Sequence, residues 1–231
     1  MQDAPKPRRR GRPILTALLV LALLPFGAVL IHRIVPPPTT LLMVKRAVGG
    51  EGLDYRWRSL DNISPRLVEA VIAAEDARFC EHGGFDMKAI EKALKANADG
   101  GRVRGGSTIS QQTAKNVFLW PSRDWIRKGL EAGYTVLIET VWGKRRIMEV
   151  YLNVAEWGPG VYGAEAAARR WFGKGADELS PREAARLAAI LPSPRRYKAE
   201  SPGPYVRRRA GRIQAAMRTV RGEGMAGCVL D

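Results

Sequence analysis

A glutamate at the end of an apolar helical stripe is the first residue of this chain whose position suggests chemistry. Steps of four back from Glu75 reach Val71 and Leu67, so the carboxylate shares a helix face with residues that favour burial. Burial disfavours the charged form and raises the pKa of a carboxyl group toward the range that suits a general base or acid near neutral pH. The alternative is structural: Glu75 reaches the surface or pairs with Arg78.

The segment that contains this glutamate mixes side chains that are unusual together in plain packing. Ala73 to Asp86 reads AAEDARFCEHGGFD, with carboxylates, an imidazole, aromatic rings and turn-forming glycines. Such a mixture is typical of the wall of a binding site. Beside Glu75, we predict that Asp76, Phe79 and His82 contribute to substrate binding.

A second segment, Gly105 to Asn116, reads GGSTISQQTAKN and is dense in hydrogen-bonding side chains. A polar loop that runs into a solvated helix would explain some of them. A sugar explains more, because its hydroxyls need paired donors and acceptors, and Lys115 is then left for an anion. The spacing of the glycines and the lysine does not fit a Walker-type phosphate loop. The polar side chains concerned are Ser107, Thr108, Ser110, Gln111, Gln112, Lys115 and Asn116.

A second acidic candidate lies in the sequence RKGLE. Arg127 and Glu131 are four residues apart and face each other on a helix, so an ordinary surface ion pair is one explanation. The functional explanation places Arg127 and Lys128 beside a pyrophosphate, with Glu131 holding a divalent ion or assisting the leaving group. Two carboxylates far apart in sequence, a sugar-friendly loop and clustered cations fit glycosyl chemistry, either hydrolysis or transfer.

The elements that would position these groups are predicted to be almost all helical. Capping residues and apolar spacing predict a long helix from Ser122 to about Trp142, with Ile126 and Leu130 facing inward, and a capping box at Ser180. The sequence LLMV within Thr39 to Val48 favours a short strand. Further helices are predicted at 64–75, from Asp86 to a stop at Gly100 and Gly101, at 107–116 and 147–154, in an alanine-rich segment ending at Phe172, at 180–191 and at 206–220. The fold class is therefore mainly α.

The N-terminal part is predicted to be an uncleaved membrane anchor, and a cleaved signal peptide is the less favoured alternative. Residues 1–13 form a basic tail, and Ile14 to Ile31 contains no charge and is long enough, at about 1.5 Å per residue, to span a bilayer. The positive-inside rule keeps the tail in the cytoplasm and sends the rest across the membrane. The predicted division is a tail at 1–13, an anchor at 14–35, a linker at 36–60 and one folded domain at 61–231.

Charge and cysteine content limit the partners. The formal net charge is +15, and removal of the tail's +4 leaves +11 on the remainder, so an anionic partner is expected. The predicted position outside the cytoplasm weakens a nucleic-acid function. Cys80 and Cys228 could form one disulfide in an oxidising compartment or remain thiols, and their spacing does not indicate a metal site.

At this point five segments resemble, in order, the motifs of the bacterial peptidoglycan glycosyltransferases of the lysozyme-like fold. They are EDARFCEHGGFD, GGSTISQQTAKN, RKGLE, then KRRIMEVYLNVAEWGPGVYGAEAAARRWFGK from Lys144 to Lys174, and LSPREAARLAAILPSPRRY from Leu179 to Tyr197. The sequence EWGPGVYGAEAAA, together with LPSPRRY and the lack of a long C-terminal domain, is most similar to members of the branch that lacks a penicillin-binding transpeptidase module.

The resemblance implies an inverting transfer that polymerises lipid II into glycan strands, with release of undecaprenyl pyrophosphate. It implies that Glu75 is the catalytic base and that Glu131 assists the pyrophosphate side, with a divalent cation such as Mg²⁺ or Mn²⁺. Lys115, Arg127 and Lys128 would contact phosphate, and Ser107, Thr108, Gln111 and Gln112 would line the sugar site. Expected partners are lipid II, the growing glycan chain, the inner membrane on its periplasmic face, and proteins of cell division or cell-wall synthesis. Apolar residues near the second motif would enter the membrane or belong to the core: Val117, Phe118, Leu119, Trp120 and Trp125.

Two other functions remain open at the level of sequence. A lysozyme-like lytic enzyme would also need a buried glutamate in an α-rich fold, but it has no need for a cluster of cations aimed at pyrophosphate. A membrane-anchored scaffold could bind anionic lipid or wall polymer without turnover. In a scaffold, the charge of Glu75 would not matter.

Overall fold

The structure is a computed structural model that describes residues 23–98, 106–122 and 124–231. It is mainly helical, as predicted, and the described residues contain one small sheet. The helices are α1 (residues 23–32), α2 (Leu41–Val48), α3 (Pro65–Glu75), α4 (Met87–Ala98), α5 (Ile109–Phe118), α6 (Trp125–Val141), α7 (Gly143–Val154), α8 (Ala164–Phe172), α9 (Pro181–Ile190), α10 (Pro204–Gly222) and α11 (Gly227–Leu230).

Two groups of helices build the core around the end of α3. Helix α3 packs between α9 and α10, and α5 packs between α6 and α7. The inner face of α3, including Leu67, Val71 and Ile72, is fully buried. The spacing of these residues is the stripe that predicted the position of Glu75, so the sequence pattern and the packing agree.

Three short strands form a mixed sheet. Its order is β1 (Asp54–Tyr55), β3 (Val161–Tyr162), β2 (Glu156–Gly158), with β1 parallel and β2 antiparallel to β3. Gly160, in the turn between β2 and β3, has φ of +69°, and a Cβ there would lie 2.2 Å from the carbonyl oxygen of Glu51. That turn therefore requires glycine.

The helix caps confirm some sequence predictions and correct others. The capping box of Ser180 and Glu183 begins α9 as predicted. The long helix α6 is capped by Asp124, which accepts a hydrogen bond from the Arg127 amide, and not by Ser122. Ser64 precedes α3 as predicted, but its hydroxyl donates to the Leu179 carbonyl 2.9 Å away instead of capping the helix. The predicted stop at Gly100 and Gly101 lies outside the described residues.

The strand predicted within Thr39 to Val48 is wrong, because the segment forms α2. The Thr40 hydroxyl accepts a hydrogen bond from the Met43 amide and caps the helix, and Met43 is fully buried. A short apolar run does not distinguish a strand from a helix by periodicity, and here the cap and the buried methionine favour the helix.

The end of the predicted anchor packs on the domain. Trp142 donates from its indole nitrogen to the Val29 carbonyl at 2.7 Å, and Arg146 donates to the His32 carbonyl at 2.9 Å. Residues 1–22, which include the tail and the first nine residues of the predicted span, lie outside the described residues. Within the described part of the chain, no helix has both the length and the apolar content needed to cross a bilayer.

Cys80 and Cys228 form a disulfide across 148 residues of sequence. The bond joins the segment that follows Glu75 to the C-terminal helix α11. Sequence spacing alone had left both the disulfide and the free thiols open. A disulfide of this kind is typical of proteins that fold in an oxidising compartment.

Candidate active site

Glu75 is the last residue of α3 and is held by two other helices. Its Oε2 accepts a hydrogen bond from Nε2 of Gln112 on α5 at 3.2 Å, and its Oε1 lies 3.3 Å from a guanidinium nitrogen of Arg209 on α10. Its side chain is 16% exposed, enough to meet a ligand. The carboxylate is therefore fixed between α5 and α10 at the edge of a cleft.

The pKa of Glu75 is raised, as its place on the apolar stripe predicted. Burial is the largest cause, and it outweighs the Gln112 hydrogen bond and the charges of Arg209 and Lys115, which act in the opposite direction. A carboxyl group with a raised pKa is a stronger base once it is ionised, and a positioned one can accept a proton from a substrate hydroxyl. Pairing of Glu75 with Arg78 is excluded, since Arg78 binds Asp86.

Asp76 and His82 form hydrogen bonds that hold the backbone beside the site. Asp76 Oδ2 accepts the Ile109 amide at 3.0 Å, and its Oδ1 lies 2.9 Å from His82 Nε2. The Gly84 amide donates to His82 Nδ1 at 3.2 Å, so the ring proton is on Nε2 and points to Asp76. These bonds fix the first turn of α5 beside Glu75, so both residues position the site instead of offering unpaired atoms to a substrate.

Phe79 lies in the core and does not line the cleft. Its side chain is fully buried, and the Lys144 ammonium lies 4.5 Å from the ring centroid. The same ammonium donates to the His82 carbonyl at 2.5 Å. We assign Phe79 to packing beneath the segment that carries Glu75.

Thr108 and Gln111 use their polar atoms to begin α5. They form a capping box, in which each side chain binds the other residue's backbone amide, and the Thr108 hydroxyl also donates to the Gly84 carbonyl at 2.6 Å. Ser107 is exposed. A cavity of about 550 Å³ beside Glu75 is lined by Ala74, Gly106, Ser107 and Thr108, among others, so this segment borders the cleft as predicted, although Thr108 and Gln111 face inward.

Helix α5 connects Glu75 to the basic cluster. Gln112 contacts Glu75, and Lys115, one turn further along, is affected by the charges of both Glu75 and Glu131. Burial lowers the pKa of Lys115, with Glu131 as the largest opposing influence. Lys115 and Asn116 line a second cavity of about 370 Å³, together with Arg46, Trp120 and Glu156.

The ion pair of Arg127 and Glu131 is buried, so it is not the ordinary surface pair that spacing alone allowed. Glu131 is 3% exposed; one oxygen accepts from Arg127 at 2.7 Å and the other from Lys128. Arg127 Nε is buried without a hydrogen-bond partner. With Lys115 nearby, the cluster carries three cations around one carboxylate, which suits a ligand with more than one negative charge.

The geometry of Glu131 does not fit a resident metal ligand. Both carboxylate oxygens already bind cationic side chains, and repulsion from those cations opposes a divalent ion. Among the described residues, one group of three potential ligands comes together: Asp76, His82 and Asp86. These atoms are engaged with Ile109, Gly84 and Arg78. The side chains at both places are therefore already engaged with partners within the protein.

Sequence reasoning missed Arg209. Helix α10 was predicted from the stripe of Val206, Ala210, Ile213, Met217 and Val220, which is buried as expected. Arg209 lies at the border of that stripe, and its long side chain reaches the Ala74 carbonyl and Glu75. A cation at the edge of an apolar stripe is a weak signal, since most such residues point to solvent.

An exposed apolar face lies on α6 near the cluster. Trp125 is 91% exposed and Ile126 75%, and Leu130 and Trp120 are also exposed. The inward orientation predicted for Ile126 and Leu130 is therefore wrong. Leu119 is buried, and Val117 and Phe118 pack against the core, so of the five apolar residues named from the motif only Trp120 and Trp125 are exposed.

Comparison with known proteins finds relatives over nearly the whole chain. The chain is 60% identical over 223 residues to a biosynthetic peptidoglycan transglycosylase of Caulobacter vibrioides, covering 96% of this chain and 97% of that protein. It is 55% identical to the protein of that name from Rhodospirillum centenum, covering 100% and 99%, and 56% identical to one from Xanthomonas campestris pv. campestris, covering 94% and 91%. The transglycosylase family model matches residues 44–218, a range that contains Glu75, Glu131 and the cluster. The chain belongs to the transglycosylase family and is a glycosyltransferase.

Proposed function

We propose that this protein polymerises lipid II into glycan strands and releases undecaprenyl pyrophosphate, without a transpeptidase activity. The observation that carries the proposal is the joining of two groups by one helix. Gln112 of helix α5 contacts Glu75, the carboxylate with the raised pKa, and Lys115 of the same helix belongs to the three-cation cluster. Sugar-transfer from a pyrophosphate needs a base at the acceptor and positive charge at the leaving group.

The chemical step divides between these two groups. Ionised Glu75 takes the proton of the acceptor's 4-hydroxyl as that oxygen forms a bond to the anomeric carbon of the donor. The bond from the anomeric carbon to the pyrophosphate oxygen breaks, and the electron pair leaves with the pyrophosphate. Attack from the side opposite the leaving group inverts the anomeric centre.

The cluster around Glu131 stabilises the leaving pyrophosphate in this proposal. Lys115, Arg127 and Lys128 supply positive charge, and Glu131 fixes the two cations of its own helix so that they do not have to reorganise during the reaction. A divalent cation, if used, would arrive with the substrate's phosphates, because the protein's own carboxylate is already engaged.

The apolar segments support a proposal of membrane attachment. We propose a single span that begins at residue 14, a cytoplasmic N-terminus, and a catalytic domain on the periplasmic face of the inner membrane. The exposed face of α6, Trp125, Ile126 and Leu130, would enter the same leaflet and bring the cluster to the headgroup level. Proteins of cell division or cell-wall synthesis are the proposed partners, and the role in the cell is the maintenance of cell shape.

The double substitution Trp125→Ser and Ile126→Ser should slow polymerisation of lipid II in bilayer vesicles by roughly tenfold or more. The wild-type protein transfers these two apolar side chains from water into the membrane, and the variant loses that favourable free energy. The rate with a water-soluble, short-chain lipid II analogue should not change. The control is Leu230→Ser, which alters an exposed apolar residue on α11. Equal loss with both substrates would contradict the membrane role of this face.

Labelled lipid II separates the proposed reaction from its rivals. Purified protein in detergent should convert the substrate to polymer and release lipid pyrophosphate. Fragments released from preformed glycan strands, with no use of lipid II, would instead mean a lytic enzyme. No turnover of either substrate, with retained binding of wall polymer, would mean a scaffold.

Arg209→Gln should move the acid limb of the kcat/KM profile to higher pH. The arginine lowers the pKa of Glu75 in opposition to burial, so its removal raises that pKa further, and the base is ionised only at higher pH. Polymerisation near the lower end of the profile should fall, whereas the plateau at high pH changes less. The measurement is initial rate against pH for both proteins, and an unmoved acid limb would exclude Arg209 as a positioning residue for the base.

A further inference from the structure

Helix α2 carries apolar side chains on two opposite faces. Met43 on the inner face is fully buried. Leu41, Val44 and Val48 form the outer face, and all three are exposed, Val48 to 85%. At 3.6 residues per turn, these three side chains lie within an arc of about 60°. A helix that packs on a domain in water has one apolar and one polar face, so the second apolar face indicates a partner that removes it from water.

The exposed apolar residues of several helices gather around the C-terminal end of α5. Leu42 of α2 lines the same cavity as Trp120, the second residue after α5. The ring of Phe118, the last residue of α5, lies 6.2 Å from the ring of His32, where α1 ends. The exposed apolar face of α6 begins at Trp125, seven residues after Phe118. Helix α2 therefore lies near both the end of α1 and the beginning of α6.

The chain reaches α2 directly from the predicted membrane anchor. That anchor ends at residue 35, and α2 begins at Leu41, so six residues of chain keep the two within roughly 20 Å of each other. Ile34 and Val35, at the end of the anchor, are exposed as well. Lys45 borders the outer face of α2 and supplies a positive charge that anionic headgroups attract. A bilayer that holds the anchor is thus the nonaqueous partner within reach of this face.

We propose that α2 is an interfacial helix that rests on the bilayer. Its outer face, Leu41, Val44 and Val48, lies at the boundary between the headgroups and the acyl chains. The inference rests on the proposed membrane attachment and adds a second contact to that of α6. The lipid bilayer is the partner, and no second protein is needed to cover the face.

The membrane contact of α2 bears on the reaction because the same helix forms a wall of the cavity beside the basic cluster. Leu42 and Arg46 of α2 line that cavity together with Lys115 and Asn116 of α5. Lys115 is one of the three cations assigned to the leaving pyrophosphate. The pyrophosphate of lipid II joins the sugar to a prenyl chain that stays in the bilayer, so it arrives at the level of the headgroups. A helix that rests on the bilayer holds the cavity at that level.

A fluorophore at position 48 tests the contact directly. The two cysteines of the chain form the disulfide, so Val48→Cys adds one free thiol for an environment-sensitive label. In vesicles of phosphatidylglycerol and phosphatidylcholine, the emission of the labelled full-length protein should shift to the blue, and lipids with brominated acyl chains should quench it. The matched control is Arg208→Cys, an exposed position on α10, which packs against α3 and α9, and its label should stay in water.

Two outcomes of the labelling experiment would overturn the inference. One is an emission at position 48 that matches the control at position 208 and is not quenched. The other is a blue shift without quenching by brominated lipid, because a protein, such as a second copy of this chain, would then cover the face. Neither measurement depends on turnover. Failure of the contact is therefore distinct from failure of the proposed function, which a wild-type protein unable to join lipid II would reveal.

The combined substitution Leu41→Gln, Val44→Gln and Val48→Gln should raise the apparent KM for lipid II in vesicles roughly tenfold and leave kcat near the wild-type value. Glutamine favours helices, and the three positions are exposed, so α2 should persist. The KM for a water-soluble, short-chain analogue should not change. An equal rise of KM with both substrates would contradict the inference, since the substitutions would then act on the cavity and not on the contact with lipid.

Discussion

Glu75→Gln should reduce lipid II polymerisation by about a hundredfold or more, the usual contribution of a positioned general base. The amide oxygen can still accept the hydrogen bond from Gln112, and the side chain keeps its size, so the cleft keeps its shape. The amide cannot take the proton of the attacking hydroxyl. The measurement is the initial rate of polymer formation from labelled lipid II at equal protein concentrations.

The control for this prediction is Glu81→Gln. Glu81 lies six residues further along the same segment, is more than half exposed, and makes one long contact of 3.9 Å with Arg78. Its loss should leave the rate within about twofold, since surface substitutions of this kind change little. Thermal unfolding of both variants should match wild type. A Glu75→Gln protein that polymerises at the normal rate would remove the basis for assigning the base.

The position of Glu75 could be predicted because it depends on local periodicity. The buried apolar residues of α3 recur four positions apart and form one face of the helix. Helices α9 and α10 pack on that face. The capping box at Ser180 is equally local, since all its bonds lie within three residues. Features that close within one or two helical turns are those that sequence determines most directly.

The choice of partner by polar side chains could not be predicted in the same way. Thr108 and Gln111 have the donors and acceptors that a sugar needs, but the same atoms satisfy the first amides of α5. Asp76 and His82 likewise bind each other and the backbone. Only the arrangement of the surrounding chain determines whether such a group faces a ligand or an orphan amide.

Long-range contacts are the second part that sequence did not provide. The contact of Arg209 with Glu75 spans 134 residues and the disulfide spans 148. The outward face of α6 is a related case: Ile126 and Leu130 were assigned inward because apolar residues usually are, and they are exposed. An exposed apolar stripe has the same residue spacing as a stripe that faces the core, so the sequence does not distinguish them before the packing of the helix is known.

Glu131→Gln should lower turnover at least tenfold and should also destabilise the fold. Glu131 neutralises Arg127 and Lys128 in a largely buried site, so its replacement leaves the buried Arg127 charge uncompensated. Removing one partner of a buried ion pair costs roughly 3 to 5 kcal/mol in the free energy of unfolding. The free cations also lose their fixed geometry, which weakens stabilisation of the leaving pyrophosphate.

A partly buried carboxylate on the same helix separates the loss of stability from the loss of turnover. Glu139 accepts hydrogen bonds from Ser110 at 2.5 Å and Lys144 at 2.7 Å and does not belong to the cation cluster, so Glu139→Gln should lower stability in a similar way. At a temperature where both variants remain folded, Glu139→Gln should keep most of its turnover. Glu131→Gln should not, and the acid limb of its pH profile should coincide with that of wild type, because Glu75 still acts as the base. Near-normal turnover of folded Glu131→Gln would mean that the cluster binds no leaving group, and the pyrophosphate side of the mechanism would have to be assigned to other residues.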